Sequence, residues 1–264
     1  MYCRCKPFAR LIDSTINLGL SSSMYHLPLD VRSTLVKNVL NSGITHVEVG
    51  DMKCTRQLHD TKNILFENRD ILYDFKTLSA SIHSVSDINK LVSNGGDEII
   101  LNININNDID YIYLSKIVNY AKIKNLKIRC SIANIFTKEN IYDEIDKLLV
   151  NIIYLSRIDI KYFSLIDDNN CINTDHVDLL QTKLKTIVYP EQIAFGFNNN
   201  SVGNVYTSIT NGFNTFHVSM NNLGNIYSTQ KMVKLLDYFN VDHSITNKKL
   251  MNETGIWLKQ QLTL

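Results

Sequence analysis

The sequence has little proline, almost no net charge and no long hydrophobic run, and each shortage excludes a class of protein. Only 3 of the 264 residues are proline and 44% are hydrophobic, which excludes disordered, collagen-like and mucin-like chains. The net charge of +1 and the lack of a basic run argue against nucleic acid as a partner. No stretch approaches the roughly 18–20 apolar residues that cross a bilayer, so we expect no membrane partner. The basic N-terminus lacks the apolar segment of a signal peptide, and we expect a cytoplasmic protein.

Cysteine is also scarce. The 5 cysteines are an odd number for a disulfide framework, so we expect reduced thiols. Cys3 and Cys5, with Cys54 as a conceivable third thiol, lack the four-ligand spacing that is typical of a zinc site. The sequence therefore predicts no metal and no other cofactor.

An alternation of short apolar runs and amphipathic segments repeats eight times along the chain. The apolar runs have the length of strands, and they are residues 10–15, 45–51, 78–83, 98–105, 127–134, 161–167, 192–197 and 215–220. The segments between them have the 3.6-residue period of helices, and they are residues 29–40, 55–73, 85–94, 110–124, 138–155, 173–186, 201–211 and 229–239. Polar turns such as NSG, NGG and NG end these helices, and Asp30 is a candidate cap for the first.

Eight strand–helix units predict an α/β protein with a closed parallel barrel, the (β/α)8 TIM barrel. Near-continuous apolar strands fit this barrel, because helices cover its strands outside and side chains fill its interior. An open doubly wound sheet is the alternative, but no G-x-G-x-x-G motif follows the first strand. We predict a single domain over residues 1–264, with the barrel at about 9–241 and a helical C-terminal extension at about 244–263. We expect the extension to pack on the barrel or on a second subunit.

The active site of such a barrel collects at the C-terminal ends of its strands. His83 ends a strand and His26 belongs to the first loop, so either is a candidate general base, with a hydrogen-bonded loop histidine as the other interpretation of each. The polar residues at this face are mainly amides and carboxylates, with few cations. They are Asp13, Thr15, Asn17, Glu48, Asp51, Ser81, His83, Asn104, Asn106, Asn134, Asp167, Asp168, Asn198, Asn199, Ser219, Asn221 and Asn222.

Several segments resemble, in order, the motifs of one superfamily. RLIDSTINLGLSSSMYHLPLD resembles the start of the metal-dependent pyruvate aldolase and acyl-CoA lyase barrels, the DRE-TIM metallolyases or HMGL-like superfamily, whose first strand ends in D-x-T-L-R-D-G. ITHVEVGD is similar to their second strand with its glutamate, and YFSLIDDNN to their sixth. QIAFGFNNNSVGNVYTSITNGFNTFHVSMNNLGN resembles their H-x-H-N-N run and the strand that follows it. The resemblance covers residues 9–243 and implies the TIM-barrel fold.

The residues that the family's chemistry requires are replaced in this sequence. In the family a divalent cation, held by the motif aspartate and two histidines, polarises a carbonyl group of the substrate. The matching positions are Leu18, Phe195 and Phe197, none of which has a lone pair to donate. The motif arginine is matched by Asn17, which carries no charge, and the position of the aldolase's histidine base falls on Ser21.

Other positions keep the family pattern. The glycine-rich loop after the eighth strand is shortened, and Asn225 matches an asparagine that helps to hold the metal in the lyase branch. Asp13 and Glu48 are interpreted either as ligand-binding residues or as structural ties between strand ends. Phe195 and Phe197 either fill the barrel mouth or stack on a planar ligand. The positions that match the pattern are Asp13, Thr15, Gly19, Glu48, Asp167, Asn198 and Asn199.

Three functions are consistent with these residues, and the sequence leaves open whether the chain is an enzyme. We expect an aldolase- or lyase-like barrel that has lost metal-dependent carbon–carbon bond chemistry, a pseudoenzyme or small-ligand-binding protein. The first alternative is a metal-independent lyase, aldolase or isomerase for a small keto or carboxylate substrate, with His83 or His26 as base. The second is an assembly protein, as a homo-oligomer or with a protein partner. The candidate binding residues are Asp13, Asn17, Glu48, Asp167, Phe195, Phe197, Asn198, Asn199 and Asn225.

Overall fold

The computed structural model describes residues 6–20, 27–53, 55–69, 76–133, 135, 140–167 and 170–263, with the backbone alone for residues 55–59. Eight parallel strands pair in chain order, and β1 pairs with both β2 and β8, which closes the barrel. The strands are β1 (Phe8–Asp13), β2 (His46–Asp51), β3 (Thr77–Ser81), β4 (Glu98–Ile103), β5 (Lys127–Ala133), β6 (Tyr162–Ile166), β7 (Ile193–Gly196) and β8 (Thr215–Val218). The predicted (β/α)8 TIM barrel is confirmed.

Helices follow the strands and surround the barrel. In the described part of the chain they are α1 (Leu29–Asn41), α2 (Thr55–Asn68), α3 (Val85–Ser93), α4 (Tyr111–Ile123), α5 (Ile141–Arg157), α6 (Thr174–Leu184), α7 (Val202–Thr210), α8 (Thr229–Tyr238) and α9 (Lys248–Leu262). A short strand, β9 (Asp242–His243), pairs with the start of β1. The predicted C-terminal extension is α9, which packs on α1, α8 and the loop after β8.

Short helical turns also shape the connections. Thr15–Leu20 forms a π-helical turn after β1, and Met220–Asn225 forms an irregular turn after β8 in which residues 221–224 have non-helical φ and ψ. The first helix differs in one detail from the expectation, because Pro28 is the N-cap of α1 and makes no side-chain capping bond. Asp30 lies in the first turn, where its charge complements the positive end of the helix dipole.

The inner face of the barrel carries many polar side chains beside apolar ones such as Ile12, Ile100 and Ile166, whereas the sequence indicated near-continuous apolar strands. Strand pairing places the same residues on one face, for example Glu48 beside Ser79 and Ser79 beside Glu98. His46 Nε2 lies 2.6 Å from a carboxylate oxygen of Glu98, and Arg129 Nε lies 3.5 Å from the other. The polar residues of this face are His46, Glu48, Ser79, Ser81, Glu98, Asn102, Arg129, Ser131, Ser164 and His217.

The hydrophobic core lies mainly between the strands and the helices. Phe163, Phe213 and Phe216 are fully buried and belong to one continuous cluster with aliphatic side chains from the strands and helices. Removing this area from water is the main favourable contribution to folding. Within the described residues, no helix has both the length and the apolar character that a membrane span requires.

Candidate functional site at the C-terminal end of the barrel

Two buried carboxylates lie at the C-terminal ends of neighbouring strands. Asp13 ends β1 and is 1% exposed, and Glu48 lies in β2 and is 2% exposed. Asp13 accepts hydrogen bonds from the backbone N–H of Thr15 at 3.1 Å and from the Thr15 hydroxyl at 2.9 Å. Glu48 accepts a hydrogen bond from the Asn17 amide at 3.1 Å. The structure therefore brings together three of the candidate residues from the sequence, Asp13, Asn17 and Glu48.

His217 joins these strands inside the barrel. Its Nδ1 atom lies 2.8 Å from Ser14 Oγ, and its Nε2 atom lies 2.7 Å from Ser164 Oγ. Glu48 Oε1 is 3.7 Å from the same Nδ1 atom. Burial is the largest cause that lowers the pKa of His217 well below its usual value of 6.5, so the ring is neutral. This histidine of β8 is linked through uncharged hydrogen bonds to Ser164 in β6 and to Ser14 directly after β1.

Burial also raises the pKa of both carboxyl groups. It raises the pKa of Asp13 to about 7, against hydrogen bonds from Thr15 that lower it, and the nearby charge of Glu48 raises it further. Burial raises the pKa of Glu48 as well, although the amide of Asn17 counteracts it. An acid that holds its proton near neutral pH is a poor ligand for a cation.

The loops after β1 and β8 close over these carboxylates. Thr15 Oγ accepts a hydrogen bond from the backbone N–H of Met220 at 2.8 Å. Gly224 has a φ of +67°, and a Cβ atom there would lie 2.6 Å from the carbonyl oxygen of Leu18. A Cβ atom on Gly19 would lie 2.9 Å from Leu223 Cβ. Only glycine permits this backbone approach, so the two loops seal Asp13 from solvent.

Phe195 and Phe197 lie on the outer face of β7. A Cβ atom on the intervening Gly196 would meet the side chains of Ile166 and His217, which places Gly196 on the inner face. Since side chains alternate along a strand, the two phenylalanines face the helices. Their rings stack at 5.2 Å between centroids, and Phe195 packs edge-on against Phe213. Both are buried, at 0% and 1% exposure.

His83 forms a partly exposed pair with a carboxylate. Its Nε2 atom lies 2.9 Å from Asp51 Oδ2, and the two side chains are 34% and 26% exposed. Asp51 ends β2 and His83 follows β3, so the pair lies at the C-terminal face. The Tyr113 hydroxyl donates to the carbonyl oxygen of His83 at 3.0 Å. His26, the other candidate base, and Ser21 lie outside the described residues.

The remaining candidates occupy loops after β6, β7 and β8. Asp167 is buried and accepts a hydrogen bond from the backbone N–H of Cys171 at 3.0 Å, which shapes the loop after β6. Asn198 forms an antiparallel bridge with Ile226. Asn199 Oδ1 accepts from the backbone N–H of Ser228 at 3.1 Å and so ties the β7 loop to the β8 loop. Asn225 is exposed on the same loop, with a left-handed φ of +60°.

The residues present do not fit the cation of the resembling family. Leu18, Phe195 and Phe197 hold the matching positions, and hydrocarbon side chains cannot ligate a metal. No three His, Cys, Asp or Glu side chains among the described residues are placed to hold a metal ion. The conceivable thiol site at Cys3, Cys5 and Cys54 lies outside the described part of the chain.

Sequence reasoning missed several polar residues of the barrel interior. His217, His46, Glu98 and Arg129 lie inside predicted strands, whereas the search for candidates was confined to strand ends. The two-residue alternation of side chains along a strand could have indicated them, since Glu48 and His46 are two residues apart and share a face. Asparagine at positions with positive φ, such as Asn221 and Asn222, gave no comparable signal in a sequence this rich in asparagine.

Comparison with known proteins gives likenesses of structure alone. No family model and no curated protein sequence matches the chain. The solved HMG-CoA lyase from Brucella melitensis superposes with a TM-score of 0.88 at 16% identity, over 98% of this chain and 100% of that one. The hydroxymethylglutaryl-CoA lyase from Pseudomonas aeruginosa gives 0.88 at 15% identity, over 98% and 95%. The carboxyl transferase domain of Rhizobium etli pyruvate carboxylase gives 0.77 at 10% identity, over 98% of this chain and 48% of that one.

These structural neighbours belong to the DRE-TIM or HMGL-like superfamily that the sequence motifs resemble. The chain therefore has the (β/α)8 fold of the HMG-CoA lyases.

Proposed function

We propose that this barrel does not carry out the divalent-metal-dependent carbon–carbon bond chemistry of the proteins it resembles, and that it binds a small ligand at its C-terminal face. The proposal rests on the side chains at the positions that match the family's metal ligands. The three positions that match the family's cation ligands are occupied by Leu18, Phe195 and Phe197. In the family a Lewis acid supplies several kcal/mol of transition-state stabilisation; here Leu18 has no lone pair for it, and Phe195 and Phe197 have none and face the helices.

The buried carboxylates support the same proposal. Asp13 and Glu48 are hydrogen-bonded to Thr15 and Asn17 and are closed off by the loops after β1 and β8. Burial raises the pKa of both groups, so protonation competes with any cation for their oxygens. Glu48 is bonded to Asn17 in the loop after β1, whereas the Asp13 side chain, among the described residues, is bonded only to Thr15 within that loop.

Metal analysis of the purified full chain tests this proposal. The protein is equilibrated with Mn²⁺ or Mg²⁺ and desalted, its metal content is measured, and aldolase and acyl-CoA lyase assays are run with the cation present. We expect less than stoichiometric metal and no cleavage above the protein-free rate. One cation per chain together with metal-dependent cleavage refutes the proposal. Native mass spectrometry of the same sample tests whether a small molecule stays bound through purification.

A metal-independent enzyme is a second candidate, and the Asp51–His83 pair favours it. If Nε2 carries the proton that is donated to Asp51, Nδ1 keeps a lone pair that can accept a proton from the carbon next to a carbonyl group. Both side chains are partly exposed at the face where barrel enzymes place their catalytic residues. A small keto acid is the substrate class that suits this chemistry.

Deuterium exchange tests the second candidate. Pyruvate is incubated with the chain in D₂O without added metal, and loss of its methyl proton signal is followed by NMR. This candidate requires exchange above background that His83→Gln abolishes. The control is His243→Gln, because His243 of β9 also pairs with an aspartate, Asp237, at 3.1 Å, at the other end of the barrel. Exchange equal to background, or equal in His83→Gln and wild type, removes His83 as a base.

A further inference from the structure

A cavity of about 500 Å³ opens between the loops after β7 and β8 and the C-terminal end of α9. Its volume lies within the range of about 300–1,000 Å³ that is usual for small-molecule sites. Asn199 follows β7 and Asn222 follows β8, while Lys231 belongs to α8 and Lys259 to α9. The cavity is thus at the C-terminal face and is lined by none of the carboxylates described above.

The charge at this cavity is positive and unbalanced. Lys231 and Lys259 both line it, and neither forms an ion pair with any described residue. The described lining contains no aspartate or glutamate. Two ammonium groups beside one cavity without a counter-charge favour an anionic occupant. The sequence-based list of strand-end residues missed both lysines, because they lie on helices.

Neutral hydrogen-bonding groups surround the two lysines. Ser228 is the N-cap of α8 and makes no side-chain capping bond; its N–H donates to Asn199 and that of Thr229 donates to Ser219, and the positive end of the helix dipole adjoins the cavity. Asn222 Oδ1 is buried and has no hydrogen-bond partner among the described residues. A buried amide oxygen without a partner is costly unless a ligand hydroxyl donates to it. Asn199 supplies a second amide from the β7 loop.

The loop after β8 is held in a conformation that presents these groups. Asn221 and Asn222 have left-handed φ values of +57° and +63°. The Asn221 amide donates to the carbonyl oxygen of Gly255 in α9 at 2.7 Å, and this bond fixes the loop against the helix that carries Lys259. The loop after β8, α8 and α9 contact one another and together build most of the cavity.

We propose that this cavity binds the phosphate group of a small phosphate monoester. Lys231 and Lys259 supply the charge, the positive end of the α8 dipole adds to it, the Asn199 amide supplies donors, and Asn222 accepts from a hydroxyl of the ligand. The space between the loops after strands 7 and 8 of a TIM barrel is a frequent phosphate site, for the same physical reasons. This inference names the ligand class of the proposed binding function and rests on it.

Binding measurements with two probes, inorganic phosphate and glycerol 3-phosphate, test the inference. Titration calorimetry at low salt is run on the full chain and on Lys231→Met and Lys259→Met, which keep the length of the side chain and remove its charge. Both lysines are exposed, so the variants should fold, and circular dichroism confirms it. We expect saturable binding to wild type, tighter for glycerol 3-phosphate, and about tenfold weaker binding for each variant, as for loss of one charge-assisted hydrogen bond.

Matched controls come from the same two helices. Lys234→Met in α8 and Lys249→Met in α9 remove exposed lysines that do not line the cavity, and we expect no more than about a twofold change. The inference is overturned if wild type shows no saturable binding, if the control variants weaken binding as much as the cavity variants, or if acetate competes as well as phosphate. Metal-dependent cleavage would refute the proposed function without changing these binding results, so the two failures are distinguishable.

Discussion

The buried acid at the end of β1 should make stability depend on pH in a defined direction. Asp13 is 1% exposed, and burial raises its pKa to about 7 from an ordinary value of 3.8. Between these two values the folded chain holds the proton that the unfolded chain releases. The free energy of unfolding contributed by this group therefore falls as pH rises through this window, and the loss is complete above the folded-state pKa.

The size of the effect follows from the two pKa values. The difference between 3.8 and about 7 corresponds to roughly 4 kcal/mol at about 1.36 kcal/mol per pH unit. Asp13→Asn has the same shape and no ionisable proton, and its side chain can still accept from the backbone N–H of Thr15. Relative to wild type, the variant should gain about 4 kcal/mol of unfolding free energy between about pH 4 and about pH 8.

Urea denaturation at a series of pH values measures this gain. Circular dichroism reports on the helices, and the single tryptophan, Trp257 in α9, gives a second signal. Titrations of all other groups are common to both proteins, so the difference between the curves isolates Asp13. Asp175→Asn, in the exposed first turn of α6, is the control and should run parallel to wild type. If the Asp13→Asn curve is also parallel to wild type, the carboxyl group is not held protonated and the burial argument fails.

Two further predictions concern packing and the barrel interior. Phe195→Ala should cost about 3–5 kcal/mol of unfolding free energy, because its ring is fully buried between neighbouring aromatic rings, whereas Ile112→Ala at a 74% exposed position should change it by less than about 0.5 kcal/mol. Equal small losses in urea denaturation would contradict the outer-face packing of β7. Glu98→Gln should lose roughly 3 kcal/mol at neutral pH, because burial raises the pKa of Glu98 but His46 and Arg129 lower it further, to about 2. This stabilisation is full above the ordinary pKa of 4.5 and is lost as pH falls toward 2, so acid denaturation curves of wild type and variant should converge there.

The sequence predicted many residues of the candidate site from their places at strand ends, but it did not predict the contacts between them. Asp13, Asn17 and Glu48 were predicted to share the C-terminal face, and they are hydrogen-bonded near one another. The Asp51–His83 pair consists of two residues named at the ends of adjacent strands. The orientation of Phe195 and Phe197 was not predictable from their spacing, since residues two apart share a face whichever face it is. The structure decided it, because the intervening Gly196 faces Ile166 and His217 inside the barrel.

The sequence by itself determined the order of the elements. Alternating apolar runs and amphipathic segments, with turns such as the one at Gly43, predicted the eight barrel strands and the helices between them because these signals are local in the chain, but not the two-residue strand β9. Gly43 has a φ of +108°, a value that residues other than glycine rarely adopt.

The closure of the barrel determined which residues meet at the candidate site. Ser14 and His217 are 203 residues apart and meet only because β1 pairs with β8, and this closure also decides which face of each strand is inside. Burial then raises the pKa of Asp13, and the packing of α9 on the β8 loop brings Lys259 beside Lys231. Desolvation and charge proximity depend on distances in space, which the order of residues along the chain does not contain.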